Sequence, residues 1–466
     1  MAIPQLIIFI VMFPGMYGYD AGSHVLQYIN DVAPLRTQYS VIYSVFLGIA
    51  VTIGQNLGSV TATFAVAMLI QATISVAILY RCTIFLGCET RSKAMWICTL
   101  AFFALFPFGL ILRVSSAQDV LFGAFFLASI IEIYKLNKKV SACERLKWAE
   151  TIPFIVFSVL YMLMRNNGLY ALIVAIVLSL PLIIKKRGWK MLLVLILPCV
   201  VFYIINGPVY SALGVQGSKF TIREMSSIPS QQLARAIETN RDEITDEEML
   251  VYIQAYGTEA YGYKADDTSW YWDQSEISDV AKERLNQNYV KNDPVSYAKL
   301  WIGVGLKCPK AYVEAFLMNS LGFWYPAKNY PDSRMYHPYI EYNTTSGTQW
   351  NPKYVDIPRS SLFPQVDEVI SQWNYSGDWS RNPLSFVLKS GTYFLLFLAC
   401  WICSKYTKRN DLSMMFALCA GLIVTYFLSP VCLFRYVYPL VITGRCSFSH
   451  SSRTNIKTES LGSSLL

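Results

Sequence analysis

The sequence predicts an all-α polytopic membrane protein of about nine or ten transmembrane helices, with one mainly helical extracytoplasmic domain. Three observations carry that expectation. Of 466 residues, 54% are hydrophobic and only 15% are charged, and mean hydropathy is +0.36, which excludes an ordinary soluble enzyme. Apolar stretches of about 20 residues, long enough to cross a bilayer, recur along the chain. The net charge of +8 conceals two opposed parts: residues 207–384 hold 16 Lys/Arg against 22 Asp/Glu, a net of −6, while the remainder holds 23 against 9, a net of +14.

Taken in order, 1–13 is a short candidate span ending at Phe13-Pro14-Gly15. It lacks a basic n-region and an A-x-A site, so a removable signal peptide is not expected. Asp20 to Ile29 has helical spacing that puts Asp20, His24, Gln27 and Asp31 in one arc and Val25 and Ile29 on the other side. That pattern suits a helix at the membrane surface. Ser40 to Ile53 is too short for a safe span and reads as a second surface-lying helix. Spans follow at 60–84, 94–112, 119–136, 150–164, 169–184 and 189–206, then at 385–403 and 411–429, with 434–443 a short candidate. The basic clusters Arg81/Arg91/Lys93, Lys135/Lys138/Lys139/Arg145/Lys147, Lys185/Lys186/Arg187/Lys190 and Lys405/Lys408/Arg409 all fall on one side once the spans alternate. By the positive-inside rule that side is cytoplasmic, residues 207–384 are outside, and the chain lies in the cell membrane. The basic balance is therefore explained by the bilayer, and no nucleic-acid partner is expected.

The organisation that follows is a membrane core over 1–206, an outer domain over 207–384, C-terminal membrane helices over 385–443 and a polar tail over 444–466 expected to be disordered. Within the outer domain, Thr245-Asp246-Glu247-Glu248 is a capping box, with a helix from Met249 to Tyr256 stopped by Gly257. Ser227 to Arg235, Pro294 to Leu306 and Pro309 to Leu321 read as further helices. The 11 cysteines form no disulfide framework, since only Cys308 lies in the outer domain. Cys400 and Cys403 make a C-x-x-C inside an apolar run, where a redox or metal role is not expected.

Outside 207–384 the chain has only nine carboxylates, and three of them, Asp20, Asp31 and Asp119, fall on the outer face. Acids at a membrane surface are costly and point to function. Asp20 suits a general base that takes a proton from an acceptor hydroxyl, or a hard-oxygen ligand for a divalent cation; the bland reading is an N-cap. His24 and Gln27, on the same face, suit substrate hydroxyls. Asp119 follows Ser115-Ser116-Ala117-Gln118, so a capping box competes with a catalytic role. Arg165, in Arg165-Asn166-Asn167-Gly168, suits a phosphate clamp, with Arg113 and Arg435 as similar candidates against a snorkelling alternative.

The string Phe13-Pro14-Gly15-Met16-Tyr17-Gly18-Tyr19-Asp20, running on to Gln27, resembles the first outer loop of GT-C-type membrane glycosyltransferases. It looks closest to a branch of large membrane proteins mainly of Gram-positive bacteria. Ser116-Ala117-Gln118-Asp119-Val120-Leu121-Phe122, Arg165-Asn166-Asn167-Gly168, Ser227 to Arg235, Gly322-Phe323-Trp324-Tyr325-Pro326 and Phe434-Arg435-Tyr436-Val437-Tyr438-Pro439 match in the same order. The chain departs at Gln118, where many such proteins have Lys. The resemblance implies hexosyl or pentosyl transfer from a polyprenyl-phosphate donor to a cell-envelope acceptor, with Asp20 and Asp119 as the loop acids. A transporter or flippase of lipid-linked glycans, or an inactive assembly subunit, is the alternative. A transporter would place its charges near midplane on broken helices, whereas here they gather at one face.

Overall fold

Serines divide the first apolar third of the chain into helices. The computed structural model describes residues 1–18, 20–29, 34–185, 188–218, 221–257, 268–326, 355–376 and 383–451. After the short α1 (Ala2–Val11) and α2 (Ala21–Ile29), the Ser40 hydroxyl accepts the Tyr43 amide to open α3 (Val41–Leu57). Gly58, at φ +79°, closes α3, and Ser59 opens the 31-residue α4 (Val60–Thr90) by accepting the Ala62 amide. Ser92 does the same for α5 (Lys93–Leu105).

Two expectations are corrected here. The 40–53 stretch does not lie along the surface: it belongs to α3, which folds back antiparallel on the apolar α4, where the Tyr43 hydroxyl donates to Gln71 at 2.7 Å, and Tyr43, Leu47 and Val51 are fully buried. The 94–112 span is two helices, because Pro107 cannot continue the ladder of α5 and instead starts α6 (Pro107–Leu112).

The central post is α7 (Gln118–Ser141), buried around most of its circumference by α4 and by α8 (Trp148–Met164). Two long apolar helices follow, α9 (Asn167–Lys185) and α10 (Trp189–Ile204). Among the described residues no strand forms, and four helical stretches are long and apolar enough to cross a membrane: Val60–Thr90, Asn167–Lys185, Trp189–Ala212 and Asn410–Phe427. Four apolar helices of 10–17 residues stand beside them. The outward faces stay apolar, as Ile173, Val177, Leu178, Leu193 and Ile196 show. Such faces suit lipid, not water.

The hydrophilic stretch begins with α11 (Thr221–Met225), α12 (Ser227–Thr239) and α13 (Asp246–Tyr256). The reciprocal Thr245/Glu248 box is formed, with the Glu248 amide donating to Thr245 at 3.2 Å and the Thr245 amide to Glu248 at 2.9 Å. Pro294 and Pro309 each occupy the first turn of α14 (Pro294–Lys307) and α15 (Pro309–Asn319). Leu233, Ile237, Tyr252, Leu300 and Val304 form a core of their own, whereas Phe323 and Ile357 join the core of the membrane helices. The chain then continues through α16 (Pro364–Ser376), α17 (Ser390–Tyr406), α18 (Ser413–Phe427) and α19 (Phe434–Ser451). The last helix runs past Gly444, the point where a disordered tail was expected to begin. Residues 452–466 with Glu459, together with Asp31, Lys186 and Arg187, lie outside the described residues.

Candidate functional site of acids and arginines

Two loops distant in sequence are zipped together at one end of α7. Met16 pairs in parallel with Ser115: the Met16 amide donates to the Val114 carbonyl at 3.0 Å and the Ser116 amide to the Met16 carbonyl at 2.9 Å. The Ser116 hydroxyl donates to the Met16 carbonyl at 2.8 Å and accepts the Gly18 amide at 3.1 Å. Gly15 makes this approach possible. At φ +110° it is in the region that glycine alone enters easily, and a Cβ there would sit 2.7 Å from the Val114 carbonyl oxygen. The two acids that follow the paired segments, Asp20 and Asp119, are thereby delivered to one place.

That place is built around two guanidinium groups. Arg165, the residue that ends α8 in extended conformation, pairs with Asp119. Arg435, in the first turn of α19, sets one terminal nitrogen 3.7 Å from Asp20 and the other 3.8 Å from Asp119. The Tyr436 ring lies under both cations, 4.4 Å from the Arg165 guanidinium carbon and 5.1 Å from that of Arg435. The acids are not equivalent. The Asp119 side chain is 2% exposed and engaged by both arginines, while that of Asp20 is 43% exposed. Asp119 is therefore the buried anchor and Asp20 the acid open to an incoming group.

The capping-box reading of Asp119 is corrected by the same geometry. The cap of α7 is Ala117, Asp119 is the second helical residue, and the Ser116 hydroxyl is directed to the first loop. Gln118 accepts the Ser40 amide at 3.3 Å, so it braces α3.

Of the seven candidate side chains, Asp20, Asp119, Arg165 and Arg435 converge; the other three have different duties. Arg113 is 2% exposed and donates to Gln5 at 2.6 Å and to the Phe103 carbonyl at 3.1 Å. It ties α6 to α1 and α5, which corrects its assignment to phosphate. Gln27 accepts the Arg36 amide at 3.0 Å and supports the strap that bridges to Gln216 at the start of the hydrophilic stretch. His24 is 1% exposed, its Nδ1 is 2.8 Å from the Ser44 hydroxyl, and its ring lies between Tyr39 and Tyr43. Burial drives its pKa down to about 4, with Asp20 opposing that shift and Arg435 adding to it. It is thus a neutral support behind the cluster.

Two residues of the site were not singled out from the sequence. Tyr436 directly follows Arg435, and its position one residue along the helix is the available signal. Tyr39 lies close enough to Asp20 for that carboxylate, after burial, to raise its phenol pKa; no local pattern marked it. Among the described residues no three His, Cys, Asp or Glu side chains converge for a metal. The carboxylates of Asp20 and Asp119 could offer oxygens, but Arg435 stands within 4.0 Å of both, and its charge opposes a divalent cation there.

The hydrophilic stretch grips the segment that delivers Arg435. Ser278 donates its amide and hydroxyl to the Pro430 carbonyl at 2.8 and 2.9 Å, Ile277 bridges Val431, and Asn319 donates to the Ser429 carbonyl at 2.9 Å.

A protein-family profile described as "Family of unknown function (DUF6020)" matches residues 23–460, and the chain belongs to that family. No curated protein and no solved structure matches the chain.

Proposed function

We propose that this DUF6020 chain is a membrane glycosyltransferase of GT-C type, moving a sugar from a polyprenyl-phosphate donor to a cell-envelope acceptor on the outer face. One observation carries the reading: an accessible carboxylate, Asp20, faces Arg435, and Arg435 and Arg165 are both held on the buried Asp119 at one end of a bundle of apolar helices. Glycosyl transfer from a lipid phosphate is served by a base for the acceptor and cations for the leaving phosphate.

In this reading the Asp20 carboxylate accepts the proton of an acceptor hydroxyl as its oxygen bonds to the anomeric carbon. The bond from that carbon to the phosphate oxygen breaks, and its electron pair leaves with the polyprenyl phosphate. Arg165 and Arg435 meet the growing negative charge, and guanidinium forks match phosphate oxygens. Asp119 and Tyr436 hold the two cations in place before substrate arrives. Placement of residues 207–384 outside follows the charge asymmetry of the loops.

The test is in-membrane transfer of labelled sugar from a polyprenyl-phosphate donor. Asp20→Asn keeps shape and N-cap ability, so it should leave expression intact while lowering turnover about 10²-fold or more. Near-normal transfer by a folded Asp20→Asn protein removes Asp20 from the chemistry. Envelope glycans unchanged on deletion of the whole chain would sink the transferase reading itself.

A further inference from the structure

The opposite end of α7 holds a second polar feature. Asn137, about 27 Å along the helix axis from Asp119, donates to the carbonyls of Asn410 and Asp411 at 3.1 and 2.7 Å and so fixes the turn between α17 and α18. In that turn is a cavity of about 170 Å³ whose walls include Lys405, Lys408, Arg409 and Ser404, with Trp401 at its side. It is too small for a drug-sized ligand, which occupies roughly 300 Å³ or more. It is large enough for a phosphate group and a few waters at about 30 Å³ each.

Five of the basic side chains at this end are paired with carboxylates. Glu132 takes Arg81 and Lys135, Glu89 takes Lys138 at 2.7 Å, Glu150 takes Lys139 at 2.6 Å, and Asp411 takes Arg409 at 2.6 Å. Among the described residues Lys405 and Lys408 have no carboxylate partner, and both line the same cavity. Their two charges are therefore in excess there. The backbone adds an independent observation. The Arg409 amide returns to the Ser404 carbonyl at 2.9 Å and the Lys408 amide to the Lys405 carbonyl at 3.1 Å, which is a Schellman closure of α17. Its left-handed position, normally glycine, is Lys408 at φ +54°. A lysine is held in a conformation its Cβ disfavours, at the wall of a cationic cavity.

We infer that this cavity is a phosphate-binding site filled by the headgroup of an anionic phospholipid in the leaflet opposite the acid–arginine cluster. The exposed Trp401, in the last two turns of α17 beside the cavity, suits a headgroup-level anchor. Basic pockets between helices at a membrane face bind such headgroups, each nearby cation strengthening binding by about fivefold. The site is separate from the proposed transfer chemistry and does not depend on it.

The full chain, reconstituted in phosphatidylcholine discs with or without phosphatidylglycerol, would be assayed by native mass spectrometry for retained lipid and by thermal unfolding. The unmodified chain should retain phosphatidylglycerol in preference to phosphatidylcholine and melt higher in its presence. Lys408→Gly is the decisive variant. It relieves the left-handed strain, so a merely structural lysine predicts a protein at least as stable with unchanged lipid preference. The headgroup site predicts a folded protein whose preference falls about fivefold, with a similar loss for Lys405→Gln and a multiplied loss for both. Lys310→Gln, on the exposed surface of α15, should change nothing. Absence of a preference in the unmodified chain, or a preference unaffected by both variants, overturns the proposal. Equal stabilisation by inorganic phosphate in pure phosphatidylcholine discs would overturn the lipid as its source.

Discussion

Arg165 contacts Asp119 through its charge and Tyr436 through its face, and a planar guanidinium is what permits both. Arg165→Lys retains charge but loses the fork and the stacking. Its turnover should fall by about 2–4 kcal/mol of transition-state stabilisation, with folding retained, in the in-membrane transfer assay. Arg113→Lys should do the reverse: it leaves Gln5 and the Phe103 carbonyl poorly matched inside the protein, so its thermal stability drops while transfer per folded molecule persists. Equal behaviour of the two variants would refute this division of labour. His24 makes a pH prediction. Its folded pKa, lowered by burial from 6.5 to about 4, means that below pH 6.5 the unfolded chain binds a proton that the folded one refuses. Stability is fully present above pH 6.5 and is lost as pH falls toward 4, by about 3 kcal/mol in all. Melting curves across that range should show the decline, and His24→Gln should flatten it.

At the level of elements, the site depends on helices that approach closely enough to set their ends in register. α9 and α18 meet at Gly421, where a Cβ would lie 2.1 Å from the Ala171 carbonyl oxygen. Arg165 precedes α9, and α18 leads through the 429–433 strap to Arg435, so this contact sets the spacing of the two guanidinium groups. Small residues let membrane helices pack backbone to backbone. Gly421→Val should therefore cost about 1–3 kcal/mol of stability through overpacking and should lower transfer as well. A melting point unchanged in detergent would show that the crossing is looser than the backbone distance implies.

For the whole molecule, the prediction concerns sidedness. If 207–384 faces outward, Val295→Cys, at an exposed position on α14, should react with an impermeant thiol reagent in intact cells. The native exposed Cys143 and Cys403, at the other end, should label only after permeabilisation. The reverse pattern would invert the orientation and with it the proposed site of transfer. The docking of Ser278 and Asn319 on the 429–433 strap makes the hydrophilic stretch part of the scaffold of Arg435, not an appendage.

Helices, their caps and the division into apolar and hydrophilic parts were readable in the chain because they depend on neighbours three or four residues away. The Thr245 box, the Pro294 and Pro309 starts and the apolar run from Asn167 to Lys185 all act over that range. The sequence also marked four of the cluster residues, since charge beside long apolar segments is conspicuous whatever the fold. It could not separate Arg113 from Arg165, because the difference is made by Gln5 and Asp119, more than 40 residues away in each case. Nor could it show that His24 faces Ser44, that Pro107 divides a span, or that Tyr39 stands by Asp20. Such assignments require the path of the backbone through space. Which polar group is buried, and against what, is settled only when the helices pack.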